Sequence, residues 1–229
     1  MKCVAWIAGA TALACGIALA ADSARTVLAA SADPDDETTT GPSIIKIPVE
    51  DVVAQITFEK GGRINVTSKG TPLRPGTYWV KSISLFKKDD KGRTWELRCT
   101  GTFGSLANIT IAAGQEKVVL LGKTIALRVQ AGPNEEGGIS VRTGGAGQSG
   151  EYYHPGAFLN GKTVVLPTVV VKDAEGKPLA SGRVAKASDG TIRFDCRLPP
   201  GYKGEYDVEV KAVMGPFEYK VAKTIEPLP

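Results

Sequence analysis

Residues 76–99 read GTYWVKSISLFKKDDKGRTWELRC and carry the strongest structural signal in the chain. Apolar and polar residues alternate on both sides of a polar centre that contains aspartate and glycine. Alternation with period two places the two sets of side chains on opposite faces of a β-strand, and an Asp- and Gly-containing centre is typical of a turn. The stretch therefore predicts a β-hairpin whose strands are residues 76–86 and 94–99.

Similar short alternating segments, separated by glycine and proline, continue from Ile44 to the end of the chain. None of them has the spacing of an amphipathic helix. Many short strands separated by turns predict an all-β protein built from antiparallel β-sandwiches. The clearest further segments are 63–67, 108–112, 117–121, 124–130, 138–142, 162–166, 168–173, 191–196, 205–213 and 218–225.

Two phrases in the chain are alike: GTYWVKSISLF (76–86) and GEYDVEVKAV (204–213) both open with Gly-x-Tyr, and each is followed by a turn and a second alternating segment. This similarity predicts two sandwich modules, residues 44–121 and 122–229, each ending in a hairpin and each large enough to fold alone. A tyrosine at such a strand entrance often bonds back to the preceding corner, which is the role predicted for Tyr78 and Tyr206.

The first 43 residues differ in composition from the rest. Residues 1–21 have one lysine before an alanine-rich apolar run that ends in small residues, which is typical of a secretory signal cleaved after Ala21. A second interpretation is a lipobox ending at Cys15, whose cysteine would carry a lipid anchor. Residues 22–43 are polar and proline-containing, and they predict a disordered spacer. We therefore expect an exported protein, in the periplasm, at the cell surface or secreted.

Charge and hydropathy exclude two classes of partner. The formal net charge is only +4, and aspartates interrupt the most basic segment, FKKDDKGR (86–93). No basic block is left that could follow a phosphate backbone, so nucleic acid is not an expected partner. No segment after the signal approaches the roughly 18 apolar residues that span a bilayer, so no transmembrane span is expected.

Residues 156–163, GAFLNGKT, match the phosphate-binding pattern G-x-x-x-x-G-K-[ST]. A phosphate loop needs a helix after it, because the helix N-terminus supplies backbone N–H groups to the phosphates. Here the β-branched run 163–171, with Pro167 inside it, opposes a helix. Asn160-Gly161 instead predicts a hairpin turn. We expect no nucleotide and no cofactor.

The chain has a single histidine, His154, which limits acid–base and metal chemistry. A nucleophile needs a base beside it, and zinc needs four ligands at recognisable spacing. Beyond the signal, the cysteines are only Cys99 and Cys196, so no metal site is expected. The prediction is a non-enzyme; the alternative is a hydrolase that uses His154 with a nearby carboxylate.

Cys99 and Cys196 both alternate with apolar neighbours, which predicts that both sulfurs point inward. In an exported protein a pair of cysteines suggests a disulfide, which would stabilise the fold by about 4–5 kcal/mol over so long a loop. Two separate buried thiols, which would contribute only packing, are the alternative. The sequence does not decide between them.

The glycine-rich stretch 144–156 predicts a long mobile loop that displays Tyr152, Tyr153 and His154 at its end. Loops that carry aromatic residues on a rigid sandwich are a common way to bind sugars or peptides. These three residues are therefore the predicted ligand-binding site. The alternative is that the tyrosines cover a sheet edge.

Residues 169–184, VVVKDAEGKPLASGRV, resemble the opening hairpin of carboxypeptidase-regulatory-like and bacterial immunoglobulin-like modules, and the resemblance continues through 189–194 and 198–210. The mature chain as a whole resembles uncharacterised exported bacterial proteins with tandem modules of this kind. The resemblance implies a β-sandwich and no active site, and fold alone does not give function. The positions that match are Asp173, Gly176, Pro178 and Gly182 at turns, and Phe194 and Tyr206 in the core.

The expected function is an exported, non-catalytic binding or structural module of the bacterial cell envelope, with a protein or glycan partner. A carbohydrate-binding module that uses Tyr152 and Tyr153 is the first alternative.

Overall fold

The computed structural model describes residues 42–188, 191–221 and 226–227. The predicted signal (1–21), Cys15 and the predicted spacer up to residue 41 lie outside the described residues. Ser43, assigned to the spacer, is the first residue of a strand; its side chain is buried and its hydroxyl donates to the Ala112 carbonyl at 2.8 Å.

The described residues form an all-β fold with one short 3₁₀-helix, Gly104–Leu106, which confirms the predicted class. The strands before residue 120 are β1 Ser43–Lys46, β2 Val52–Phe58, β3 Arg63–Val66, β4 Thr71–Leu73, β5 Gly76–Lys88, β6 Thr94–Cys99, β7 Asn108–Ile111 and β8 Glu116–Val118.

The strands after residue 120 are more numerous and several are very short. They are β9 Ile125–Pro133, β10 Ile139–Ala146, β11 Tyr152–Tyr153, β12 Ala157–Leu159, β13 Lys162–Val165, β14 Thr168–Asp173, β15 Pro178–Arg183, β16 Ala185–Lys186, β17 Ile192–Cys196, β18 Tyr206–Lys211, β19 Tyr219–Val221 and β20 Glu226–Pro227.

These strands pair into two large and two small sheets within the described residues. The first large sheet has the strand order β13-β12-β6-β5-β2-β3, and β7 pairs with the first residues of β5. The second large sheet has the order β16-β17-β10-β9-β19, with β11 paired to β10 and β20 paired to β9. The small sheets are β4-β1-β8 and β15-β14-β18. The pairs are antiparallel except β1–β8, β19–β9 and β20–β9.

The predicted hairpin at 76–99 is confirmed as β5 and β6, which pair from Ile83–Cys99 to Lys88–Thr94. Its inner face is in the core: Leu85, Leu97 and Cys99 are fully buried. The hairpins predicted at Asn160-Gly161 and at 169–184 are also confirmed, as β12–β13 and β14–β15. At residue 160 the asparagine adopts φ +50°, as the turn requires.

Five hairpin turns among the described residues share one backbone pattern. The N–H of the first residue donates to the carbonyl of the fifth, and the N–H of the fourth donates to the carbonyl of the first. The fourth residue is always a glycine with positive φ, which identifies a three-residue turn followed by a G1 bulge. The turns are 58–62, 89–93, 134–138, 147–151 and 173–177.

In three of these turns, the side chain of an Asp or Asn at the first position accepts hydrogen bonds from backbone N–H groups of the same turn. Oδ1 of Asp89, Asn134 and Asp173 each accepts the N–H groups of the third and fifth residues. This contact fixes the turn locally, which is why the sequence signals for the β5–β6 and β14–β15 hairpins are strong.

Residues 151–159 lie between the two large sheets and hydrogen-bond with both. On one side β11 pairs with β10. On the other side the N–H groups of Tyr152 and His154 donate at 2.9 Å to the carbonyls of Thr102 and Arg98, and β12 continues along β6. The predicted module boundary at residue 121 stays a prediction, but strand pairing and one contiguous hydrophobic core both extend across it.

The second predicted terminal hairpin, between 205–213 and 218–225, is wrong. β18 pairs with β14, whereas β19 pairs with β9 in a different sheet. The connection between them enters the core: Met214 and Phe217 are buried, and Gly215 lies so close to Trp95 that a Cβ there would be 2.5 Å from the indole. Burying these apolar residues carries the chain from one sheet to the other.

The role predicted for Tyr78 is confirmed, since its hydroxyl donates to the Arg74 carbonyl at 2.7 Å at the entrance to β5. The ring also packs against Phe58, with centroids 5.0 Å apart. Tyr206 opens β18 and packs partly buried against the core.

Candidate binding surfaces around strand β11

The predicted ligand-binding residues Tyr152, Tyr153 and His154 point in different directions. The stretch 144–156 is not the long loop that was predicted, because β10 runs to Ala146 and the tight turn 147–151 leads into β11. Strand alternation then exposes Tyr152 (36% exposed) and buries Tyr153 completely. The prediction that Tyr153 is displayed to a ligand is therefore wrong, and only Tyr152 and the half-buried His154 reach the surface.

Tyr153 is part of a buried polar pair with Glu151, which is also fully buried. The Tyr153 hydroxyl donates to Glu151 Oε1 at 3.0 Å, and the Ser149 N–H donates to Oε2 at 3.0 Å. The carboxyl also occupies the space beside Gly147 that a Cβ would need, only 1.7 Å from Oε1. In this turn, the carboxylate of the fifth residue, Glu151, accepts the N–H of the third residue, as the Asp or Asn at the first position does in the other three turns.

Burial dominates the electrostatics of this pair. Desolvation raises the pKa of Glu151 despite its hydrogen bonds, and it raises the pKa of Tyr153 well above its usual value, with the Glu151 charge adding to the effect. Both groups hold turn 147–151 against the 3₁₀-helix, where the Ser105 N–H donates to the Ser149 carbonyl at 2.8 Å. The pair is a structural anchor of β11.

The outer surface of the first large sheet carries what we call the Glu96–Arg98 face: Glu96, Arg98, Thr100, His154 and Phe158. Arg98 donates from Nε and Nη2 to the two oxygens of Glu96, both at 2.8 Å, and its guanidinium lies 4.1 Å from the centroid of the Phe158 ring. Burial would raise the pKa of Glu96, but hydrogen bonds from Arg98 and Ser84 outweigh it and the pKa is lowered. The result is a guanidinium held in one orientation.

His154 lies at the edge of this face. Its Nε2 is 2.8 Å from Thr100 Oγ1. Burial and the positive charge of Arg98 both lower its pKa, so the ring is neutral at pH 7. A neutral imidazole beside a hydroxyl can exchange hydrogen bonds with a ligand, and it is also one part of the arrangement that the hydrolase alternative needs, the other part being a nearby carboxylate.

Strand register extends this face into a row of polar side chains that crosses four strands, β3, β2, β5 and β6, and ends at His154, just after β11. Asn65 pairs with Gln55 in the register, Gln55 with Ser84, and Ser84 with Arg98. His154 lies next to Arg98, because its backbone N–H donates to the Arg98 carbonyl. The Gln55 amide donates to Asn65 Oδ1 at 3.1 Å. At a strand spacing of about 4.8 Å the row spans roughly 19 Å.

A second row runs beside the first and is richer in apolar groups. Phe86 on β5 and Phe158 on β12 lie on either side of Glu96 in the register. The face therefore offers hydrogen-bonding groups along one line and aromatic rings along the next.

The outer surface of the second large sheet carries what we call the arginine face: Arg128, Gln130, Arg142, Arg193 and Tyr152. Arg142 on β10 lies opposite both Gln130 on β9 and Arg193 on β17, and Arg128 lies opposite Gly144. Arg193 pairs with Asp195 at 2.6 Å. Within the described part of the chain, Arg142 has no ion pair and its Nε is buried without a hydrogen-bond partner.

Both cysteines are free thiols, on strands of different sheets. Cys99 is buried, as predicted, and its Sγ donates to the Thr102 carbonyl at 3.2 Å; burial raises its pKa to about 11. Cys196 is partly buried, and desolvation also raises its pKa. Neither thiol has the low pKa of a reactive nucleophile.

The described residues bring together no group of three or more His, Cys, Asp or Glu side chains suited to a metal ion. They also contain no helix that is long and apolar enough to span a membrane. In the GAFLNGKT stretch, β13 begins at Lys162, where a phosphate loop would begin a helix.

Sequence reasoning missed Glu151, Glu96 and Arg142. Glu96 and Arg142 each lie on a regular alternating strand, so the pattern marks them as outward-facing but gives no sign of their partners. Glu151 follows the turn GQSG, and its burial depends on the close approach of residues 103–105, which are distant in the sequence.

We predict that Tyr153→Phe lowers the free energy of unfolding by about 1–3 kcal/mol, because it removes a donor from a buried carboxylate. Tyr152→Phe, one residue earlier on the same strand, is the matched control and should have the smaller effect. Urea unfolding of both variants measures the difference. Equal effects would show that the buried pair does not anchor β11.

No family model matches the chain, and no curated protein or solved structure shows significant similarity to it.

Proposed function

We propose that this protein is an exported, non-catalytic binding module of the bacterial cell envelope, built on a β-sandwich scaffold, and that its ligand meets the Glu96–Arg98 face. The observation that carries the proposal is the fixed position of Arg98, which Glu96 holds through two hydrogen bonds and Phe158 supports from one side. A side chain whose orientation is already set loses little entropy when it binds a ligand.

The chemistry of the face favours a glycan over a protein partner. Sugars present hydroxyl groups at the edges of their rings and C–H groups on their faces. The polar row from Asn65 to His154 supplies amide, hydroxyl, guanidinium and imidazole groups, and Phe86 and Phe158 supply rings in the row beside it. Small-molecule sites combine apolar walls with a few fixed polar groups in the same way.

Export supports the same proposal from a different direction. The sequence of residues 1–21 predicts secretion or, through Cys15, lipidation, and polysaccharides are abundant ligands outside the cytoplasm. The predicted tandem arrangement of sandwiches would place the face on a rigid carrier at the end of the spacer 22–43.

We predict that the full chain binds glycans of the envelope on a glycan array or in sedimentation with purified cell-wall sacculi, and that Gln55→Ala weakens this binding about three- to tenfold. Loss of one neutral hydrogen bond gives an effect of that size. Gln148→Ala, which removes the same side chain from the exposed turn 147–151, is the matched control and should bind like the parent. If the parent protein bound no envelope glycan, or if both variants lost binding equally, the proposal would be contradicted.

The contact between His154 and Thr100 keeps a hydrolase as the second candidate, because it places a neutral base 2.8 Å from a hydroxyl. A panel of chromogenic esters and glycosides tests it. We expect no turnover above that of the buffer, and His154→Ala should change nothing. Turnover that disappears in His154→Ala would show that the protein is an enzyme.

A further inference from the structure

The arginine face and the Glu96–Arg98 face belong to different sheets. The arginine face is formed by three neighbouring strands, β17, β10 and β9, with Arg142 at its centre. Arg142 is flanked across the strands by Arg193 on one side and Gln130 on the other, and Arg128 is one residue pair further along.

Like charges directly opposite each other on neighbouring strands destabilise a sheet. Arg142 and Arg193 are in that position. Asp195, which is on the same strand as Arg193, forms an ion pair with Arg193 and so does not neutralise Arg142. Glu226, on β20, is paired in register with Gln130 on β9, not with Arg142. Among the described residues no carboxylate pairs with Arg142, and its Nε–H is buried without an acceptor.

A bound oxyanion would supply what Arg142 lacks. It would accept hydrogen bonds from the two terminal nitrogens of the guanidinium, since Nε itself is buried, and its negative charge would balance that of Arg142. Arginine is also the side chain best suited to planar, two-pronged contacts with carboxylate and sulfate groups.

The face also has an aromatic side chain beside the charge. The ring of Tyr152 lies across Gly144, so close that a Cβ on Gly144 would be 2.0 Å from the ring. Gly144 and Ala146, which follow Arg142 on this side of β10, are both buried. The exposed part of the Tyr152 ring is therefore the surface that a flat group would meet beside Arg142.

We propose that the arginine face is a second binding site, specific for acidic glycans, in which Arg142 binds a carboxylate or sulfate group and Tyr152 packs against the sugar ring. The inference rests on the proposed binding function only in its choice of a glycan, since it uses a different sheet and different residues.

An acidic glycan fits this face better than nucleic acid or an acidic protein. Tight binding to nucleic acid depends on neutralising many phosphates, whereas the chain has a net charge of only +4 and Asp195 already neutralises one arginine of the face. The partly exposed tyrosine ring suits the C–H groups on the face of a sugar.

The test measures the affinity of the full chain at low ionic strength for polygalacturonate, which carries carboxylates, and for dextran sulfate. Dextran is the neutral comparison, and poly-L-glutamate and single-stranded DNA are the comparisons for acidic protein and nucleic acid. We expect one or both acidic glycans to bind more tightly than all three comparisons. Binding of polygalacturonate alone identifies a carboxylate ligand, and binding of dextran sulfate alone identifies a sulfate.

Arg142→Gln should weaken this binding at least about tenfold, as expected for loss of a charged hydrogen-bonding group. Arg63→Gln, which removes the same charge from the exposed end of β3 in the other large sheet, is the matched control and should stay within about twofold of the parent. Gly144→Ala keeps every polar group of the face but forces the Tyr152 ring aside, so it should also weaken binding if the ring contacts the sugar. Arg142→Lys keeps the charge without the two-pronged contact and should fall between the parent and Arg142→Gln.

Failure to bind either acidic glycan would overturn the inference, as would equal losses in Arg142→Gln and Arg63→Gln or tighter binding to poly-L-glutamate or DNA. These outcomes are distinct from failure of the proposed function. Sacculus or neutral-glycan binding that depends on Gln55 would survive them, because Gln55 lies on the first large sheet.

Discussion

The hydrogen bonds of residues 151–159 are the constraint on which the rest of the structure depends. This segment forms backbone bonds with β10 on one side and with β6 and the residues after it on the other. A strand bonded on both edges cannot shift its register without breaking both sets of bonds, and a shift of one residue would turn Tyr153 out of the core. The buried Glu151–Tyr153 pair fixes the start of the segment, since a buried carboxylate is stable only where its acceptor oxygens are satisfied.

The fixed register of this segment also decides what each surface displays. Tyr152 is held on the arginine face, and His154 and Phe158 are held on the Glu96–Arg98 face. One short stretch of chain therefore supplies side chains to the outer surfaces of two sheets. Both proposed sites gain their rigidity from the same backbone, although they share no side chain.

The sequence predicts the features that depend on local chemistry. The strands of 76–99, the turn at Asn160-Gly161 and the hairpin at 169–184 follow from alternation and from Asp, Asn and Gly at turn positions. It fails where distant contacts decide. β18 and β19 look like a hairpin but separate, because Met214 and Phe217 are buried between them. Tyr153 looks like a displayed aromatic but is buried, because β11 pairs with β10 and strand alternation turns its ring inward.

The candidate sites divide in the same way. His154 and Tyr152 can be found from the sequence because they are unusual residues beside a glycine-rich stretch. Arg98, Glu96 and Arg142 cannot, since each is an ordinary polar residue on an alternating strand and gains its significance from a neighbour on another strand. Strand register is the missing information, and it depends on pairing between segments that are far apart in the chain.

Native-state hydrogen exchange at the amides of Tyr152 and His154 tests the central claim most directly. If residues 151–159 join the two large sheets, these amides exchange only when the whole protein unfolds, with the same opening free energy as the central amides of β6 and β10. Exchange of both amides at a much lower opening free energy, while the two sheets stay protected, would contradict the account.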